Sequence, residues 1–158
     1  DILMAGGFIK ESQMFKAFAM SNFGKGPYVK GVLMGRSPLL SVMKSSYFME
    51  LTKTGKLPRK FAELYGETPD KFFAAAPSLK DEYAERFKEI PWEAVGLYTY
   101  LYERIRVGLM QLMAGTRKWK LDLLDRKDLV ALTERAAKTT GIPMVEEAET
   151  DAIEKILA

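Results

Sequence analysis

The sequence predicts an α/β fold: the last two βα units of a (β/α)₈ TIM barrel, followed by a mostly α-helical C-terminal extension. Three observations predict it. Strand and helix signals alternate through the first forty-odd residues, both strand signals end in glycine turns, and no convincing strand follows them. A change of composition near residue 50 divides the chain into a βαβα portion of the barrel at 1–50 and a helical extension at 51–158 that packs on the barrel.

"ILMA" reads as the first strand and "ESQMFKAFAM" as a helix, with apolar Met14, Phe15, Phe18 and Ala19 at helical spacing. "YVKGVLM" reads as a second strand, parallel to the first because a helix joins them, with a right-handed crossover. In "GRSPLLSVM", Ser37 suits a helix cap and Pro38 a first helical turn. Breakers then part a series of helices: Pro58, "YGETPDKFF" with Thr68 or Asp70 at a helix start beside Pro69, Pro77, Pro91, Gly115 and "GIP". Asp125 is placed to cap a helix over "RKDLVALTERAAKTT", ended by Gly141.

Composition narrows the chemistry. The 158 residues are 47% hydrophobic and 28% charged, an ordinary globular balance. A net charge of +3, with cations scattered among acids, argues against nucleic acid as a partner. The one basic run, "GTRKWK", reads as a solvated helix end whose cations meet the C-terminal dipole. With no cysteine and no histidine, the chain offers no thiol chemistry, no histidine base and no residues for the usual zinc or iron–sulfur sites, so no metal site is expected. The longest apolar stretch, 94–115, is interrupted by Glu103, Arg104 and Arg106, and no secretory leader is visible. Both features predict a soluble, cytoplasmic protein with no membrane partner.

The two glycine turns, Gly6-Gly7 after the first strand and Gly35-Arg36 after the second, fall at the same edge of a parallel pair. Glycine permits close backbone approach to an anion, and a following helix start offers unpaired N–H groups with a favourable dipole. In (β/α)₈ barrels the loops after the last two strands commonly form a phosphate site in this way. Gly6, Gly7, Gly35 and Arg36 are therefore the candidate binding residues.

"LMAGGFIKESQMFKAFAM", "PYVKGVLMGRSPL", "IPWEAVGLYTYLYERIRVGLMQLMAGTRKWKL" and "RKDLVALTERAAKTTGIPMV" together resemble the C-terminal part of the FMN-binding glutamate synthase-like family, over nearly the whole chain. That resemblance implies an FMN-dependent barrel in which Gly6, Gly7, Gly35 and Arg36 hold the flavin phosphate. It makes residues 2–5 the seventh strand and 29–34 the eighth. It also implies an oxidoreductase of glutamate biosynthesis, which reductively combines 2-oxoglutarate with amide-derived ammonia. The implied partners are the small-molecule substrate, the N-terminal portion of the barrel, and a second copy or an electron-donor subunit.

The sequence departs from the family's pattern in three places. "SPLLSVMKSSYFMEL" stands where large glutamate synthases carry the cysteines of a 3Fe–4S centre, so this chain ligates no iron–sulfur cluster. The loop "SNFGKGP" is longer than a tight helix-to-strand turn. The residues that would stack on the flavin ring or bind substrate belong to earlier strands, so no catalytic residue is nominated and the chain alone is expected to be inactive. Two alternatives remain open: a non-flavin barrel enzyme that binds a substrate phosphate with the same turns, and a non-catalytic helical interaction module in which Gly6-Gly7 is only a turn.

In the long apolar helix, Leu97, Leu101, Ile105, Leu109 and Leu112 make a stripe that wants a partner surface. The nine methionines, Met110 and Met113 among them, read as core filling. Lys30 reads as a solvated strand end. "EEAETDAIE" reads as the acidic start of a terminal helix.

Overall fold

Strand β1 (Ile2–Ala5) and strand β2 (Val29–Leu33) pair in parallel in the computed structural model, which describes residues 1–148 and Leu157. Helix α1 (Glu11–Met20) joins them and buries Met14, Phe15, Ala17 and Ala19. The βαβ unit thus forms from the residues that predict it. The Leu3 side chain lies over Gly31, its Cδ2 2.8 Å from where a Cβ would stand. Much of the pair's apolar surface is exposed: Leu3 is 65% exposed, and Ile2 and Leu33 are exposed with it, whereas Val29 is buried.

The rest of the described chain is helical. Helix α2 (Arg36–Lys53) follows β2 directly, then α3 (Arg59–Tyr65), α4 (Pro69–Phe72) and α5 (Ala76–Tyr83). A 3₁₀ segment (Ala84–Glu89) leads to α6 (Trp92–Tyr98), a π-helical segment (Thr99–Arg106) and α7 (Val107–Gly115). Last come α8 (Glu134–Thr140) and α9 (Val145–Ala148). The breakers act where expected: Pro58 and Pro91 stand immediately before α3 and α6, Pro69 opens α4, and Gly141 ends α8 in the left-handed conformation. No helix among the described residues is long and apolar enough to cross a membrane.

Contacts divide the chain into two units that interleave along the sequence. One comprises Asp1–Met4, Ser12–Val32 and Gln111–Ala158; the other comprises Ala5–Glu11 and Leu33–Met110. In the second, Phe73, Ala75, Ala76, Leu79, Phe87 and Val95 form a core edged by Met49, Phe72 and Trp92. Phe73 stacks on Trp92 at 5.6 Å between ring centroids, and Phe48 stacks on Phe61 at 4.5 Å.

In the first unit the long loop after α1 is an anchor. Asn22 is buried, its Nδ2 donates to the Leu124 carbonyl at 2.7 Å, and its Oδ1 accepts from the N–H groups of Gly24 and Gly26. Arg126 donates to the carbonyls of Met20 and Thr140 and lies 5.2 Å from the Phe23 ring centroid. The length of "SNFGKGP" is explained by this work of holding the later segments.

Four local expectations are corrected. Ser37 does not cap α2, which has Gly35 at the cap position two residues earlier; the Ser37 hydroxyl donates to the Phe8 carbonyl instead. No single helix runs over 126–140. Asp125 caps only a 3₁₀ turn (Arg126–Asp128), because Ala131 pairs with Pro143 and Val145 through backbone hydrogen bonds that hold it extended, and Thr133 caps the short α8.

The leucine stripe is also only partly buried: Ile105 is buried, but Leu101 and Leu112 are exposed while Val95, Gly96 and Met113 turn inward. The π segment holds more residues per turn than an α-helix, so a 3.6-residue pattern slips across it. Finally, Lys118 is not a solvated helix end, since its Nζ bonds Asp125 at 2.9 Å and Asp128 at 2.7 Å. Lys30 is exposed. The acidic terminal run begins helically at Glu146 and Glu147 in α9; its residues 149–154 lie outside the described residues.

Candidate functional site

Gly6, Gly7, Gly35 and Arg36 line one cleft of about 530 Å³, within the unit formed by Ala5–Glu11 and Leu33–Met110. The turn after β1 requires its glycines: Gly6 and Gly7 have φ of +95° and +75°, in the left-handed region that side chains disfavour. Neither has an atom within 4 Å of where a Cβ would stand, so the backbone there is open to close approach.

Two hydroxyls hold this turn. Ser37 donates to the Phe8 carbonyl at 3.0 Å, and Tyr100 donates to the Ile9 carbonyl at 2.7 Å. The first bond has a consequence for α2. With Ser37 engaged elsewhere and Gly35 at the cap, the helix start has no side-chain cap, and its first N–H groups are the ones such a start leaves for a ligand.

The long helix 92–115 closes another side. Gly96 meets α2 at Ser45, where the backbones approach so closely that a Cβ at 96 would stand 2.7 Å from Ser45 Cβ. From that contact, Ser41 and Ser37 lie one and two turns back along α2, and Tyr100 and Arg104 lie four and eight residues on along the other helix; all four line the cleft. Tyr100 and Arg104 both belong to the π segment. π turns recur at functional positions because they re-aim side chains within an otherwise regular helix.

The charge of the cleft is of one sign. Arg36, Lys44 and Arg104 line it and no carboxylate does. Among the described residues none of the three has an ion-pair partner. Phe8, Ile9, Leu33, Met34 and Leu40 supply apolar wall. A cationic cleft with apolar walls, glycine backbone and an uncapped helix start accommodates an anionic group attached to an apolar body. A phosphate ester fits that donor set.

The four residues nominated from the sequence line one cleft, and Lys44, Tyr100 and Arg104, which were not nominated, line it with them. Arg104 is one of three charges, with Glu103 and Arg106, that interrupt the apolar helix, and Tyr100 stands four residues before it. Among the described residues no group of three or more carboxylates, histidines or cysteines is placed to hold a metal ion. No protein family, curated protein or solved structure matches the chain.

Proposed function

We propose that this chain contributes the flavin-phosphate part of an FMN-dependent, glutamate synthase-like oxidoreductase, with β1 and β2 as the last two strands of its (β/α)₈ barrel. The observation that carries the reading is the convergence of Gly6, Gly7, Gly35 and Arg36 on one acid-free cleft at the start of α2. The exposed apolar strand pair supports it, because barrel strands are covered by neighbours on both sides.

In this reading the Gly6-Gly7 backbone and the α2 start bind the phosphate, Arg36 neutralises it, and Phe8, Ile9 and Leu33 exclude water from the adjoining body of the ligand. When bound, the flavin supplies two electrons for the reductive amination of 2-oxoglutarate. This chain's part is to fix the cofactor's position and charge.

The test is to purify the product of the complete reading frame and record its visible spectrum. Flavin bands, with FMN identified by mass after release, are expected. A colourless protein that takes up no FMN would overturn the reading, and one that instead binds a phosphorylated substrate would belong to the non-flavin barrel class.

A further inference from the structure

Among the four residues that the sequence singles out, only Arg36 carries charge, whereas a phosphate monoester brings nearly two negative charges at neutral pH. One guanidinium and a set of backbone dipoles leave much of that charge uncompensated. Two further cations, Lys44 and Arg104, line the same cleft, and neither has an ion-pair partner among the described residues. They come from beyond the strand turns: Lys44 from the middle of α2, and Arg104 from the π segment of the 92–115 helix.

Both side chains are exposed, and the backbones that carry them are fixed by packing. Gly96 against Ser45 fixes one helix on the other, and the Tyr100 hydroxyl ties the π segment to the Ile9 carbonyl of the glycine turn. A uniformly positive wall without any acid costs self-repulsion in the free protein, and an anion relieves it.

We propose that Lys44 and Arg104 form a second cationic wall of this cleft, which completes the charge of a bound phosphate monoester and makes the site select phosphorylated over unphosphorylated ligands. Tyr100 is a positioning residue that aims Arg104 and holds the glycine turn. The inference rests on the phosphate-site reading above, and it goes beyond that reading by assigning ligand selection to the helical extension. Arg36 with the glycine backbone forms one wall of the site, and Lys44 with Arg104 forms the other.

The experiment uses the product of the complete reading frame, stripped of ligand and titrated separately with FMN, riboflavin and inorganic phosphate. R104Q and K44Q are each expected to weaken FMN and inorganic phosphate by about tenfold, the effect of one charge-assisted contact, and to leave riboflavin unchanged. R104K and K44R, which keep the charge, should retain most of the binding. In the parent protein, added salt should weaken FMN and spare riboflavin.

Equal FMN affinity in R104Q, K44Q and the parent protein would overturn the inference. So would a loss that falls equally on riboflavin, which marks a structural effect. If inorganic phosphate binds and weakens in both neutral variants while FMN binds no better than phosphate, the cationic wall stands and the flavin reading falls.

Discussion

Ser45 and Gly96 meet at a point where no side chain fits on the second residue: a Cβ on Gly96 would stand 2.7 Å from Ser45 Cβ and 3.0 Å from Phe73 Cε1. Ser45 is itself buried, and its hydroxyl donates to the Ser41 carbonyl at 2.7 Å. This contact sets α2 against the long helix and thereby brings Ser37 and Ser41 to the same cleft as Tyr100 and Arg104.

Gly96→Ala should therefore destabilise the protein by about 1–3 kcal/mol through overpacking, although alanine favours a helix. Urea unfolding measures the loss. Ser45→Gly in the same protein should recover part of it, while a lack of recovery would place the strain at Phe73.

Gly7→Ala acts through the backbone. With nothing near its Cβ position, the cost is that of the left-handed conformation, about 1 kcal/mol. Because the same residue lets the backbone approach an anion, ligand affinity should fall further than stability does. Parallel unfolding and FMN titrations separate the two.

Lys118, Asp125 and Asp128 form a partly buried triad whose contribution depends on pH. For Asp125, burial alone would raise the pKa, but the Lys118 ammonium and the Lys127 N–H hold it below the usual carboxylate range. For Lys118, burial alone would lower the pKa, and the bonds to Asp128 and Asp125 raise it above the usual lysine range. A depressed acid stabilises above its unfolded pKa and loses that stabilisation as pH falls through its folded value; a raised lysine stabilises below its unfolded pKa and loses it as pH rises through its folded value. Lys118→Met should then cost about 1–2 kcal/mol near neutral pH. The difference from the parent protein should shrink at both acid and alkaline extremes of a series of urea unfolding curves.

Asn22→Ala removes a buried amide that serves the Leu124 carbonyl and the N–H groups of Gly24 and Gly26. A loss of about 2–3 kcal/mol is expected, because those groups lose their partner on the side chain. Amide hydrogen exchange at Gly24 and Gly26 should quicken with it, and unchanged exchange would mean that the loop is held by other contacts.

The βαβ start, the helix breaks and the glycine turns were legible because each rests on a short-range rule: alternation of strand and helix periods, proline at helix starts, glycine at positive φ. The end of the chain was less so. Asp125 and Asp128 satisfy a local capping rule, but the Ala131 N–H donates to the Pro143 carbonyl and the Ala131 carbonyl accepts from the Val145 N–H, and that long-range pairing stops the helix expected there. Leu101 and Leu112 stay exposed, off the face that buries Val95, Ile105 and Met113, since the π segment changes the period that their spacing assumed.

By itself the sequence determined where the chain turns and which positions join backbone freedom to a charge, Gly6, Gly7 and Gly35 with Arg36 beside them, because conformational freedom and charge belong to the residue. The tertiary structure decided which distant cations join them. Lys44 and Arg104 share the cleft because Gly96 admits α2 closely and Tyr100 reaches the Ile9 carbonyl. The close approach of two helices depends on which faces meet, and that is a property of packing, absent from the local pattern of either segment.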